Sequence, residues 1–220
     1  MQLSSEQTYW LNQVRAGDSE FIIGVDEVGY GAWAGPITVC AAVVRRGWSH
    51  PQVRDSKKVS PSRRAQLVQD VLVYPEVLMH VVLSNPSGVI DHLGLVQARD
   101  ECIADAIELC LMSYPGSMVV MDGNVVPNRV PKTVICLPKA DDLVPAVSAA
   151  SIIAKEHRDS YMRGLHVRWP EYGFDSNVGY GTDAHKAGLA KYGAIPTIHR
   201  MSFGPLRGYA HWKPRLWLDV

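Results

Sequence analysis

The chain lacks a surplus of either charge. Twenty-two acidic residues balance twenty-two basic ones across 220 positions. The total charge therefore announces no polyanionic partner, although a neutral sum can hide a local basic face. Cysteine is sparse, and Cys40, Cys102, Cys110 and Cys136 form no CxxC pair. Three lie in apolar runs and Cys110 ends a helical one, which reads as reduced, packed thiols rather than zinc ligands or disulfides. No run reaches the ~18–20 apolar residues of a membrane span. The first seven residues are polar and offer no signal-peptide stretch. Repeats and low-complexity tracts are absent too. The expectation is a soluble, cytoplasmic protein with no membrane partner.

What is present is a core. At 47% hydrophobic, the chain can bury one full domain. Ser4 with Gln7 forms a capping-box pattern and opens a short helix that Gly17 closes. Residues 21–26 read as a strand and 37–44 as its antiparallel partner across a glycine-rich turn. Ser60 followed by Pro61 starts a helix over 62–73. A strand at 77–83 and a long helix over about 89–112 follow. Further strands are expected at 118–121 and 133–137, then helices at 145–164 and 183–192. The order β, β, helix, β, helix, β, β, helix describes an α/β domain, a mixed sheet flanked by helices. The expected core spans about 20–165, with a helical, loop-rich extension over 166–220.

Three element edges end in carboxylates: Asp26-Glu27, Asp122 before Gly123, and Asp141 before the 145–164 helix. Ligands gather beyond strand ends in open α/β sheets, so these acids can converge. Adjacent carboxylates are costly to bury unless a cation accompanies them. Hard divalent ions take oxygen ligands, which points to Mg²⁺ or Mn²⁺. Successive strand residues face opposite ways, so a site shared by Asp26 and Glu27 requires the strand to end or twist there. Each acid also has a plainer reading. Asp-Gly is a turn dipeptide, Asp141 or Asp142 can cap a helix, and Asp26-Glu27 can be a solvated strand end. Spacing alone leaves both readings open.

The segment Gly24-Val25-Asp26-Glu27-Val28-Gly29-Tyr30-Gly31-Ala32-Trp33-Ala34-Gly35-Pro36 resembles the signature of the ribonuclease HII family. So do Asp55-Ser56-Lys57-Lys58, Met121-Asp122-Gly123-Asn124, Lys139-Ala140-Asp141 and Ser148-Ala149-Ala150-Ser151 through Arg158-Asp159. Tyr172-Gly173-Phe174, Gly179-Tyr180-Gly181-Thr182, His185 and His199-Arg200-Met201-Ser202-Phe203 complete the series in family order. The resemblance implies a ribonuclease H-like fold with a mixed five-stranded sheet. It implies an endonuclease that cuts the RNA strand of RNA–DNA hybrids and ribonucleotides embedded in duplex DNA, leaving 5′-phosphate and 3′-hydroxyl ends. The four catalytic, metal-holding acids of the family map onto Asp26, Glu27, Asp122 and Asp141. Asp141, not Asp142, has the family's distance to Ser151. A two-metal mechanism is implied, with Mg²⁺ or Mn²⁺ about 4 Å apart. Gly29, Tyr30, Gly31 and Tyr180 are the implied readers of the 2′-hydroxyl, Tyr180 stacking on the junction sugar. Lys57, Lys58 and Ser151 join them as substrate-binding candidates, and the chain is expected to act as a monomer.

Departures from the family pattern bear on substrate choice. Tyr30 stands where the family usually has arginine, Val178 where lysine is common, and Gly94 where asparagine usually sits. A tyrosine cannot replace a phosphate-forking guanidinium. This motivates a second reading, a hybrid-binding protein with weakened junction recognition or catalysis. Other residues carry paired readings. Lys57 and Lys58 can hold phosphates or feed the Ser60 cap as a solvated loop. His185 and His199 can move protons or be hydrogen-bonded structural groups. Lys155 and Arg158 can face phosphate or solvent. The basic and aromatic tail, Arg207, Tyr209, Trp212, Lys213, Arg215 and Trp217, can touch nucleic acid or pack on the domain.

Overall fold

The computed structural model describes residues 3–53 and 60–209. They divide into two compact units, the first from residues 3–28, 38–53, 60–84 and 99–157, the second from residues 29–37, 85–98 and 158–209.

The first unit is built on a five-stranded sheet of order β3-β2-β1-β4-β5. Its strands are β1 (Phe21–Val28), β2 (Ile37–Arg45), β3 (Val77–Asn85), β4 (Met118–Asp122) and β5 (Ile135–Leu137). β1 runs antiparallel to β2 and parallel to β4, and β4 runs parallel to β5, so the sheet is mixed. Alternation sorts the side chains. Ile22, Cys40, Ala42 and Val44 pack against helices α1 (Ser5–Ala16), α2 (Pro61–Leu72) and α6 (Pro145–Arg168). Ile23, Val25, Val39, Ala41 and Val43 pack on the other face, against α4 (Leu95–Ser113). β2 is buried on both faces from Ile37 to Val44, which explains an apolar run interrupted only by Thr38.

The caps behave as the sequence predicts. Ser4 and Gln7 form the reciprocal capping box, and Ser60 accepts from Arg63 N–H with Pro61 in the first turn. Gly24 lets α6 approach β1. A Cβ there would stand 2.0 Å from the Ala146 carbonyl carbon and 2.2 Å from Val147 N, so only glycine fits.

The second unit has its own core, in which Tyr172, Phe174, Leu189, Ile195 and Leu206 surround Ala34 and Met162. It holds the short helices α3 (Ser87–Leu93) and α7 (Phe174–Asn177), and α8 (Asp183–Tyr192) with Thr182 as its cap. The long helix expected over 89–112 is broken. Gly94 adopts φ +86 and separates α3 from α4, a conformation that β-carbon-bearing residues avoid. Among the described residues, no helix is long and apolar enough to cross a membrane.

Candidate active site

Asp26 lies near the end of β1, in register with Cys40 on β2, while its neighbour Val25 pairs with Met121 on β4. β1 does not end at the acids; pairing continues through Glu27 and Val28. The two side chains therefore leave opposite faces of the sheet. Asp26 faces α6, where Ser151 donates to its carboxylate. Glu27 faces α4, within the field of Arg99. Asp26 Oδ1 also accepts from the Glu27 backbone N–H at 2.8 Å.

Asp122 ends β4, one strand over, and its Oδ1 accepts from Ala140 N–H at 2.8 Å. That bond ties the strand to a short helix, α5 (Ala140–Leu143), that the sequence pattern does not announce. Asp141 sits in its first turn and is buried. Ser148 Oγ donates to the Asp141 carbonyl, joining α5 to α6.

These acids feel one another. Burial pushes the Asp26 carboxyl well above the ordinary carboxylate range, opposed by the Ser151 hydrogen bond and reinforced by the charges of Glu27, Asp122 and Asp141. Burial also raises Glu27; Arg99 opposes the shift, and Asp122 and Asp100 add to it. Among the described residues, no three His, Cys, Asp or Glu side chains stand close enough to grip one metal ion as placed. The opposed directions of Asp26 and Glu27 account for part of that spacing. The donor set nevertheless fits hard divalent cations, because it is all carboxylate oxygen and its mutual repulsion is what a cation relieves.

The second unit carries the glycine turn and Tyr180. Gly29, at φ +88, packs on a guanidinium; a Cβ there would stand 2.2 Å from Arg158 Nε. Tyr30 is 41% and Tyr180 38% exposed. Arg158, read from sequence as phosphate-facing or solvated, is neither, being completely buried along with Arg200. Arg158 donates to the carbonyls of Pro36, Ala34 and Val178 at 2.9, 3.0 and 2.9 Å. Arg200 donates to those of Gly35 and Tyr30, both at 3.0 Å. Burial lowers both guanidinium pKa values, Arg200 to about 9 with the Arg158 charge contributing.

His185 and His199 are buried and bonded to each other, the structural arrangement of the two readings. Val178 holds a left-handed conformation at φ 44, uncommon for a β-branched residue. Sequence reasoning missed Arg99, Arg200 and Asp91, whose carboxylate accepts from Met201 N–H and from Ser202. Only Arg200 had a signal, its place in the His199-Arg200-Met201-Ser202-Phe203 block. Lys57 and Lys58 lie outside the described residues, as do Trp212, Lys213, Arg215 and Trp217.

The family model described as Ribonuclease HII matches residues 23–205. The chain belongs to the ribonuclease HII family. A relative from Chlamydia caviae, Ribonuclease HII, is 38% identical over 207 residues, covering 94% of each chain. Among solved structures, the ribonuclease H2 of Pyrococcus horikoshii OT3 superposes with a TM-score of 0.69 at 27% identity, over 86% of this chain and 96% of that one. Bst-RNase HIII in complex with Mn²⁺ gives 0.65 at 18% identity over 88% of this chain and 70% of that one, a likeness of fold. As a ribonuclease HII family member the protein is an endoribonuclease of ribonuclease H type, a phosphodiester hydrolase.

Proposed function

We propose that the protein cuts RNA–DNA hybrids and DNA duplexes carrying embedded ribonucleotides, and so removes misincorporated ribonucleotides. The products are 5′-phosphate and 3′-hydroxyl ends. What supports this reading is the placement of the acids: Asp26 is buried on β1, Asp122 ends the adjacent strand β4, and the Ala140 N–H bonded to Asp122 opens the helix that holds the buried Asp141. Clustered negative charge opposes a polyanionic substrate unless cations offset it, so a pure hybrid binder gains nothing from it.

Asp26, Glu27, Asp122 and Asp141 are the groups that would hold Mg²⁺ or Mn²⁺. The Mn²⁺ complex of Bst-RNase HIII, which shares the fold, supports divalent metal dependence. Bound divalent ions supply an activated water and stabilise the leaving 3′-oxygen. The protein's own part is orientation. Ser151 holds one carboxylate and the Ala140 amide another. Gly29, Tyr30 and Gly31 read the 2′-hydroxyl through backbone groups, and Tyr180 stacks on the sugar, the only place where RNA and DNA differ at one nucleotide.

The test offers a DNA duplex with one ribonucleotide and, separately, a long RNA–DNA hybrid, each with Mg²⁺, Mn²⁺ or chelator. Both substrates are expected to be cut with metal and neither with chelator. No cleavage of either with any metal would leave the hybrid-binding reading. Cleavage of the hybrid alone would mean that Tyr30 has cost junction specificity.

A further inference from the structure

The segment from Gly29 to Pro36 is held by its carbonyls. Arg200 takes those of Tyr30 and Gly35, and Arg158 takes those of Ala34 and Pro36. Neither arginine makes an ion pair among the described residues, and Arg200 Nη2 finds no partner. Asp159 and Asp91 act on them only through their fields; burying two guanidinium groups with no carboxylate in contact is expensive, and packed apolar side chains hold a loop at less cost. What a guanidinium offers in exchange is direction. Its planar fork fixes the angle of each carbonyl it binds.

That angle has a consequence on the opposite side of the chain. No peptide bond among the described residues is cis, and in a trans peptide the C=O and the following N–H point opposite ways. Arg200 draws the Tyr30 carbonyl inward, so the Gly31 N–H points outward. It has no acceptor among the described residues, and Gly31 is exposed. A Cβ on Gly31 would stand 3.8 Å from Tyr180 Cε1, so this amide lies beside the exposed Tyr180 ring. An outward N–H next to an aromatic face matches a sugar bearing a 2′-hydroxyl, the oxygen accepting and the sugar resting on the ring.

We infer that Arg200, assisted by Arg158, is a positioning residue that aims the Gly31 amide at the ribose 2′-hydroxyl. This rests on the proposed ribonucleotide recognition. It also relieves the side chain at position 30 of that task.

The test measures affinity for a duplex with one ribonucleotide and for the same duplex in DNA, in an Asp26→Asn background that prevents turnover. Arg200→Lys keeps a positive charge but cannot serve both carbonyls with a planar fork. The preference for the ribonucleotide duplex is expected to fall about tenfold, the worth of one well-placed hydrogen bond, with DNA affinity unchanged. Equal losses on both duplexes, or an unchanged preference in a folded variant, would overturn the inference. If the background protein shows no preference to begin with, the proposed recognition fails instead. A second readout does not depend on the variant's folding. In ¹⁵N-glycine-labelled protein, the Gly31 amide resonance should move with the ribonucleotide duplex and not with DNA; a resonance that ignores the ribonucleotide sinks the idea.

Discussion

His199 donates its Nε2–H to His185 Nε2 at 3.1 Å, and the outer partners fix that direction. The Tyr180 carbonyl, 2.9 Å from His185 Nδ1, can only accept, so the His185 proton sits on Nδ1 and its Nε2 accepts from His199. A neutral His199 then has its proton on Nε2, and its Nδ1 accepts from Ile195 N–H at 2.9 Å rather than donating to the Ile195 carbonyl 3.3 Å away. The chain of bonds works only with both rings neutral. An added proton would set two N–H groups against each other.

Stability should therefore fall in mild acid. Burial, then the His185 charge, lowers His199 to about 3, and burial lowers His185 as well. A depressed folded pKa means that the unfolded chain binds the proton first. The contribution is whole above about 6.5 and shrinks below it, by about 1.4 kcal/mol per pH unit for each ring that stays neutral. Melting temperatures between pH 7.5 and 5.5 check this before the ordinary carboxylates titrate. His199→Gln should melt lower at pH 7.5 and show a shallower slope.

Asp26→Asn should abolish turnover while leaving duplex binding intact or tighter. It removes a carboxylate whose ionised form the folded state disfavours, so the metal-free variant should melt above the wild type at neutral pH. Divalent cation at ten times its Kd should stabilise the wild type by about 1.4 kcal/mol, roughly 3–6 °C, and the variant less. Equal shifts in both proteins would refute Asp26 as a ligand.

Tyr30→Arg restores the charge that the family pattern carries. With the turn backbone held by Arg158 and Arg200, the new side chain can reach a phosphate without reshaping the loop. The slope of log affinity against log salt should steepen by about one unit. An unchanged slope would mean that position 30 does not approach the backbone of the duplex.

Gly24→Ala tests the approach of α6 to β1. The added methyl meets backbone rather than a movable side chain, which should cost about 3 kcal/mol, or roughly 6–12 °C in melting temperature. A neutral result would show that the helix can shift freely.

The elements with local causes were legible in the sequence. Ser4 with Gln7 and Ser60 with Pro61 mark helix starts through bonds made within four residues, and β2 declares itself by an apolar run. The break at Gly94 was not legible, since an isolated glycine inside a periodic stripe is compatible with an unbroken helix. The helix holding Asp141 spans only four residues, too few for a period. Spacing placed the acids at element edges but could not say which strands lie side by side, because neighbouring strands come from distant sequence. Arg158 and Arg200 were least legible of all. Their partners at positions 30–36 lie more than a hundred residues away, and sequence reading assigns charged side chains to solvent.

None of the four cysteines forms a disulfide, and Cys136 alone is partly accessible. Burial raises Cys40 and Cys110, Cys110 to about 11, and Cys136 also stands near 11, with the Asp122 charge adding to burial. Thiolates are the reactive species, and here they are scarce at neutral pH. The protein should survive purification in air without added thiol. A maleimide dye should find a single slow site, Cys136, placing a fluorescent reporter beside Asp122.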